Sequence, residues 1–201
     1  MKTILKELIT SLLLTAVLAV LLCGAYPVAV WAAGQALFPA KANGSLVVAA
    51  DGTVRGSTLL AQNFSSDKYF QPRPSAAGTG YDATSSGGTN YGPTSQKLSD
   101  SIKAAVKAYR DSNGLAADAA VPADAVTSSA SGLDPHISPE NAQIQAARVA
   151  KARALPLEKV NALVAANTEV RDLGVFGEAG VNVLRINMAL DAVNPAAPAG
   201  K

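Results

Sequence analysis

The chain has 201 residues and a formal net charge of +2, from 17 Lys and Arg against 15 Asp and Glu. The charges are dispersed, so no basic face offers itself to nucleic acid. A single cysteine and a single histidine exclude a disulfide framework and, without clustered carboxylates, leave no metal site to expect. Charged residues make up 16% of the chain and aromatics 5%, against about 25% charged in ordinary soluble domains. A composition weighted to Ala, Gly and Ser predicts a thin core, long packed loops and surface that a partner covers.

From Leu8 to Ala40 there is no charged side chain. The centre of this run, Leu12 to Val30, is apolar apart from Thr15, Cys23 and the phenol of Tyr26. About 20 such residues cross a hydrocarbon core of about 30 Å as a helix. A cleaved secretory signal is the alternative, because Lys2 and Lys6 precede the run as a positive n-region would. A signal is shorter and exits at a small-residue site, whereas this run continues through Trp31 and Phe38. Tyr26, Trp31 and Phe38 suit the far membrane interface, and the basic amino-terminal flank stays cytoplasmic by the positive-inside rule. The expected organisation is a cytoplasmic terminus (1–7), a transmembrane helix (8–33) and a periplasmic α+β domain (34–201). Ala25, Ala29 and Ala33 recur at four-residue spacing, which either forms a face for close helix packing or reflects abundant alanine. Pro27 either kinks the helix or marks its arrival at the interface.

Beyond the membrane run, residues 45–49 and 53–60 flank Asp51-Gly52 and predict a hairpin. Residues 63–94 have no periodicity and are rich in Gly, Ser, Pro and Thr, so they form a loop. Its spaced aromatics, Phe64, Tyr69, Phe70, Tyr81 and Tyr91, favour a packed loop over a disordered one. A helix follows from Ser95 to about Ser112, with Leu98, Ile102, Ala105, Val106 and Tyr109 as its apolar stripe and Asn113-Gly114 as its stop. Residues 115–125 read as a tolerant connection. Ser138-Pro139-Glu140 opens a helix reaching Ala154. A shorter one runs from Pro156 to Asn167, with Leu157, Val160, Leu163 and Val164 inward. Val181 to Leu190 reads as a final strand with Leu184, Ile186, Met188 and Leu190 on one face, and the tail from Ala192 as loose.

Few stretches carry chemistry. The loop containing Ser85, Ser86, Gly87, Gly88 and Thr89 could present N–H groups and hydroxyls to an anion. It lacks the GxxxxGK[ST] form of a phosphate-gripping loop, so a glycine-dependent turn is the plainer reading. Ser131, Gly132, Asp134 and His136 lie within six residues, and a hydrolase triad has to be weighed there. Triad members normally converge from separate segments, and Pro135 stiffens this one, so a hydrogen-bonded helix-entry histidine is favoured over catalysis or partner contact. No catalytic residue and no firmly bound cofactor is expected. Arg73, fixed between Pro72 and Pro74, either reaches a partner carboxylate or pins its own loop.

Several short motifs recur in a fixed order: Asn43-Gly44-Ser45, VRGS at 54–57, Gln62-Asn63-Phe64, Tyr69-Phe70, RPSA at 73–76 and SGGTN at 86–90. SGLDPHIS at 131–138, Arg148-Val149-Ala150, VNVL at 181–184 and Asn187 complete the set. Together with the membrane run, the ordered set closely resembles the C subunit family of bacterial Kdp potassium-transporting P-type ATPases. Leu60-Ala61, Thr89 and Ala179-Gly180 depart from that family's pattern in loop or packing positions. The resemblance implies an inner-membrane subunit whose partners are a potassium-conducting subunit and an ATP-hydrolysing subunit, with potassium handled by those partners. It also implies a catalytic chaperone that raises the ATP affinity of the hydrolytic subunit through a transient ternary complex. Under that implication the 85–89 and 131–136 residues are candidate nucleotide or partner contacts. The residues themselves favour a different role, an outer domain that stabilises the assembly or covers an ion entrance, because ATP is scarce outside the membrane. A membrane-anchored hydrolase using Ser131 and His136, and an envelope-binding structural domain, are the alternatives from other classes.

Overall fold

The computed structural model describes residues 2–49, 52–171 and 173–193, which form two units, Met1–Ser57 and Thr58–Lys201. In the first unit a helix from Thr3 to Leu37 is long and apolar enough to cross a bilayer, by length and composition. Its 35 residues reach roughly 50 Å at 1.5 Å per residue, longer than a hydrocarbon core. It comprises α1 (Lys2–Ala19), a π-helical turn (Val20–Ala25) and α2 (Tyr26–Leu37). Pro27 follows the π-turn, and the two belong together. Proline offers no N–H to the preceding turn, and its ring collides with the carbonyl four residues back. Widening the turn moves the hydrogen bonds to i→i+5, seen where Tyr26 N–H donates to the Leu21 carbonyl, so the helix passes Pro27 without ending. The helix runs on for ten residues beyond Pro27, to Leu37.

After the short α3 (Pro39–Ala42) come β1 (Leu46–Val48) and β2 (Val54–Ser57), paired antiparallel with a bulge between Val47 and Val48. Gly52 N–H donates to Ala49 O and closes the expected turn; Asp51, its other predicted residue, lies outside the described residues.

The second unit is a small α+β domain. Its sheet has order β3-β5-β4, all antiparallel, built from β3 (His136–Ile137), β4 (Thr168–Glu169) and β5 (Gly180–Asn182). Around it lie α4 (Gln96–Asn113), α5 (Ala123–Val126), α6 (Pro139–Arg153), α7 (Leu157–Ala166) and α8 (Val183–Val193). Ser95 and Ser138 cap α4 and α6 by accepting from Leu98 N and Asn141 N, and Gly114 ends α4 in the left-handed region. The core is made largely of small and branched residues: Ala142, Ala146, Val149 and Ala150 from α6, Val160 and Val164 from α7, and Val183, Ile186 and Leu190 from α8. Phe70 is fully buried within it, with Tyr69 buried beside it in the chain.

The loop 63–94 is packed around Phe64, Tyr69, Phe70 and Tyr81, while Tyr91 is exposed, and part of its backbone is held by side chains. Asn187 on α8 accepts from Phe70 N (2.8 Å) and donates to Phe70 O (2.9 Å). Gln145 on α6 does the same for Gln71, accepting at 2.7 Å and donating at 3.1 Å. Two carboxamides thus replace the neighbours a strand would have, which satisfies buried amides without a ladder. Arg148 donates to the carbonyls of Asp67 and Tyr69, and Arg153 donates to Lys68 O while its guanidinium stacks on Tyr69.

Two expectations need correction. Of the expected final strand, 181–190, only Val181 and Asn182 are extended, within β5; from Val183 the chain is helix α8, which still includes Ala192 and Val193 of the expected loose tail. Asn182 is the reason, since its Oδ1 accepts from Arg185 N (3.2 Å) and caps the helix. The buried positions Val183, Leu184, Ile186, Asn187 and Leu190 then follow a helical rather than an alternating period. The second correction is Leu157, expected inward but 41% exposed at the start of α7. The rest of the tail lies outside the described residues.

Candidate functional site

The Gly/Ser loop and the segment before β3 dock onto each other. Ser86 Oγ and Gly87 N both donate to the Ser131 carbonyl, each at 2.9 Å. Gly132 is wedged beneath them with φ +67°, where a Cβ would sit 2.7 Å from both Ala77 N and Gly87 O. Gly88 approaches Ala130 O almost as closely, with 3.0 Å to an added Cβ. Ser75 completes the junction: its hydroxyl donates to Gly132 O and accepts from Ala77 N and Tyr81 N. The glycines here serve contact between backbones. Donors that a phosphate cradle would need at Ser86 and Gly87 are already spent inside the domain.

Beyond this junction a cleft of about 380 Å³ opens beside the sheet. His136 on β3 lies against its floor, with Arg73, Asp134 and Glu169 around it and Val170 and Phe176 on one wall. Arg73 Nη1 pairs with Asp134 Oδ2 at 2.9 Å, and Arg185 Nη1 with Glu169 Oε1 at 2.6 Å. The imidazole sits between the two carboxylates, Nδ1 3.6 Å from Asp134 Oδ1 and Nε2 3.5 Å from Glu169 Oε2. The adjacent Asp134 carboxylate outweighs partial burial and, with the charge of Glu169, raises the His136 pKa above its ordinary value. Burial alone would push Asp134 upward, but hydrogen bonds from His136 and Arg73 outweigh it and hold the carboxyl below its usual range. Asp124, also on the rim, accepts from Ser138 N, Ser138 Oγ and Asn141 Nδ2 and so anchors the start of α6.

With that arrangement in view, comparison with known proteins is decisive. Residues 8–192 match the family model described as KdpC, the c chain of K+-transporting ATPase. The chain belongs to the KdpC family. A relative from Nitratidesulfovibrio vulgaris, named potassium-transporting ATPase KdpC subunit, is 55% identical over 184 residues, covering 91% of this chain and 92% of its own. Relatives of the same name from Allorhizobium ampelinum and Rhodospirillum rubrum are 58% identical over 173 residues (85% and 88% covered) and 52% over 193 (96% and 99%).

Within this KdpC-family domain the positions nominated from sequence fall into separate places. Ser86, Gly87 and Gly88 meet Ser131 and Gly132 at the junction, while Ser85 and Thr89 are exposed on the same loop. Asp134 and His136 belong to the cleft and are joined there by Arg73. Ser131 Oγ contacts Ser129 Oγ and accepts from Leu133 N, whereas the nitrogens of His136 face Asp134, Glu169 and Asn182, so the three triad candidates are not assembled. Ala25, Ala29 and Ala33 lie exposed along the apolar helix. Glu169, the second carboxylate of the cleft, carries no local motif and is reached only through strand pairing. The clamping residues did leave a trace: Asn141, Gln145 and Arg148 are polar intrusions at helical spacing beside the buried Ala142, Ala146 and Val149.

Proposed function

We propose that the chain is a non-catalytic accessory subunit of an ATP-driven potassium uptake pump. It is anchored in the inner membrane by Thr3–Leu37, with its amino terminus cytoplasmic and its α+β domain periplasmic. Its partners are the potassium-conducting and ATP-hydrolysing subunits of the same pump; what supports a multi-subunit assembly is that its relatives are named as a subunit of a potassium-transporting ATPase. The domain stabilises the assembly or covers the ion entrance. The internal docking of the 85–89 and 131–132 loops supports this role over nucleotide binding, since Ser86 Oγ and Gly87 N are committed to the Ser131 carbonyl. The catalytic-chaperone role, with ATP held at Ser85, Ser86, Gly87, Gly88, Thr89, Ser131, Gly132, Asp134 and His136, is the competing reading.

Purification of the tagged full chain from membranes tests the proposal. A polytopic subunit and an ATPase subunit should come with it, and replacing Ser85–Thr89 by an alanine/glycine loop should leave the ATP affinity of the pump within about twofold. A chain that purifies alone with hydrolase activity overturns the subunit reading. ATP binding to the isolated chain, lost on replacing that loop, overturns the covering role in favour of the chaperone.

A further inference from the structure

The sheet brings two ionisable side chains, His136 of β3 and Glu169 of β4, to one face. His136 is registered against Asn182, and Glu169 against Gly180, two residues along the same strand. Side chains two apart on a strand share a face, so His136 and Glu169 stand diagonally across β5. Gly180 keeps the path between them open: a Cβ there would lie 3.2 Å from His136 Cβ and 3.5 Å from its Cγ. The ring therefore spans the central strand, with Nδ1 toward Asp134, ahead of β3, and Nε2 toward Glu169 on β4. Both carboxylates are themselves held by arginines, Arg73 from the long loop and Arg185 from α8. Among the described residues, Asp124 and Glu178 are the remaining charged groups lining the cleft.

A neutral imidazole carries one N–H and no net charge, whereas the imidazolium carries a proton on each nitrogen and attracts both carboxylates, which stand at ion-pair distance on either side of the ring. Asn182 Nδ2 lies 3.5 Å from Nε2 and offers the neutral ring a different partner. With the proton on Nδ1 facing Asp134, the Nε2 lone pair accepts from Asn182, and Glu169 receives nothing from the ring. Glu169 is the last residue of β4, and the chain leaves it directly into a loop whose Val170, Leu173, Val175 and Phe176 are 65–89% exposed.

We propose that His136 is a proton-controlled clasp between β3 and β4 that fixes the end of β4, where the chain leaves at the exposed Val170, when charged and releases it when neutral. The linkage sign follows from the raised pKa. Stabilisation by the clasp is complete below the ordinary imidazole value of about 6.5 and disappears as pH rises through the higher folded value. At the acid end Asp134, with its lowered pKa, holds its side of the clasp until pH falls through its folded value, below the ordinary value of about 3.9. The inference goes beyond the pump reading and does not depend on it.

His136 is the sole histidine, so its ring resonances in the full-length chain in detergent micelles are unambiguous. They should titrate above about 6.5. Hydrogen exchange of peptides covering 168–180, corrected for the intrinsic rate, should lose about threefold or more protection as pH rises through that midpoint. Glu169→Gln should lower the midpoint and remove the step in protection, while circular dichroism reports an intact fold. His136→Gln, which can donate at one end only, should show the weaker protection at every pH. A midpoint at or below the ordinary value, protection that is unchanged across it, or a step that survives in folded Glu169→Gln overturns the clasp.

Discussion

Two glycines that look alike in sequence carry different burdens. Gly114 and Gly132 both occupy the left-handed region, at φ +66° and +67°. Around Gly114 an added Cβ meets open space, so alanine there bears only the backbone preference, about 1 kcal/mol. At Gly132 the same methyl would collide with Ala77 N and Gly87 O, atoms of two backbones that cannot rotate away. Gly132→Ala should therefore cost about 3 kcal/mol or more, and Gly114→Ala about a third of that, in urea denaturation of the full chain in detergent. Equal losses would show that the junction yields. Sequence reading treats Gly132 as part of a possible catalytic or nucleotide loop; its real constraint, the approach of residues 77 and 87, is a tertiary contact invisible to local pattern.

Among the elements, the helices with strong boundary chemistry are legible and the others are not. Ser95, Gly114 and Ser138-Pro139-Glu140 place α4 and α6 within a residue or two, because capping is local. The split of residues 180–193 into strand and helix is missed because Val, Leu, Ile and Met at alternate positions fit both periods over so short a run. Asn182 decides it, being the residue able both to end β5 and to cap α8. The three-stranded sheet β3-β5-β4 is illegible for a related reason: strands of two and three residues have no periodicity to read. The start of α6 offers a test of how its cap is organised. The Asp124 carboxylate serves the cap residue and its neighbour at once, so Ser138→Ala and Asp124→Ala should each cost about 1–2 kcal/mol. The double variant should fall short of their sum by at least about 0.5 kcal/mol. Additive losses in the same denaturation experiment would mean that the two groups act separately.

For the whole molecule, composition foretells the main division and the character of the core. One long apolar helix and one small α+β domain were expected and are present, and among the described residues only Tyr69 and Phe70 are buried aromatic side chains. What each unit meets outside itself is a proposal, and the exposed Ala25, Ala29 and Ala33 make part of it testable. Small residues let a neighbouring helix approach closely, so Ala29→Leu should reduce co-purified partner subunits about fivefold, equivalent to roughly 1 kcal/mol of packing. Membrane insertion should be unchanged, since leucine is no less apolar. Undiminished assembly would leave the helix as an anchor alone.

The carboxamide clamps on Phe70 and Gln71 have a consequence for the order in which the domain forms. Their partners lie 117 and 74 residues away in the chain, on α8 and α6. A strand could pair with its neighbour early through a short turn, but these backbone groups have no partner until both helices are made and brought together. The long loop must then close its contacts after the costly loop-closure entropy has been met, among the last events of folding. Substitutions at Asn187 or Gln145 would accordingly speed unfolding while leaving the folding rate almost untouched.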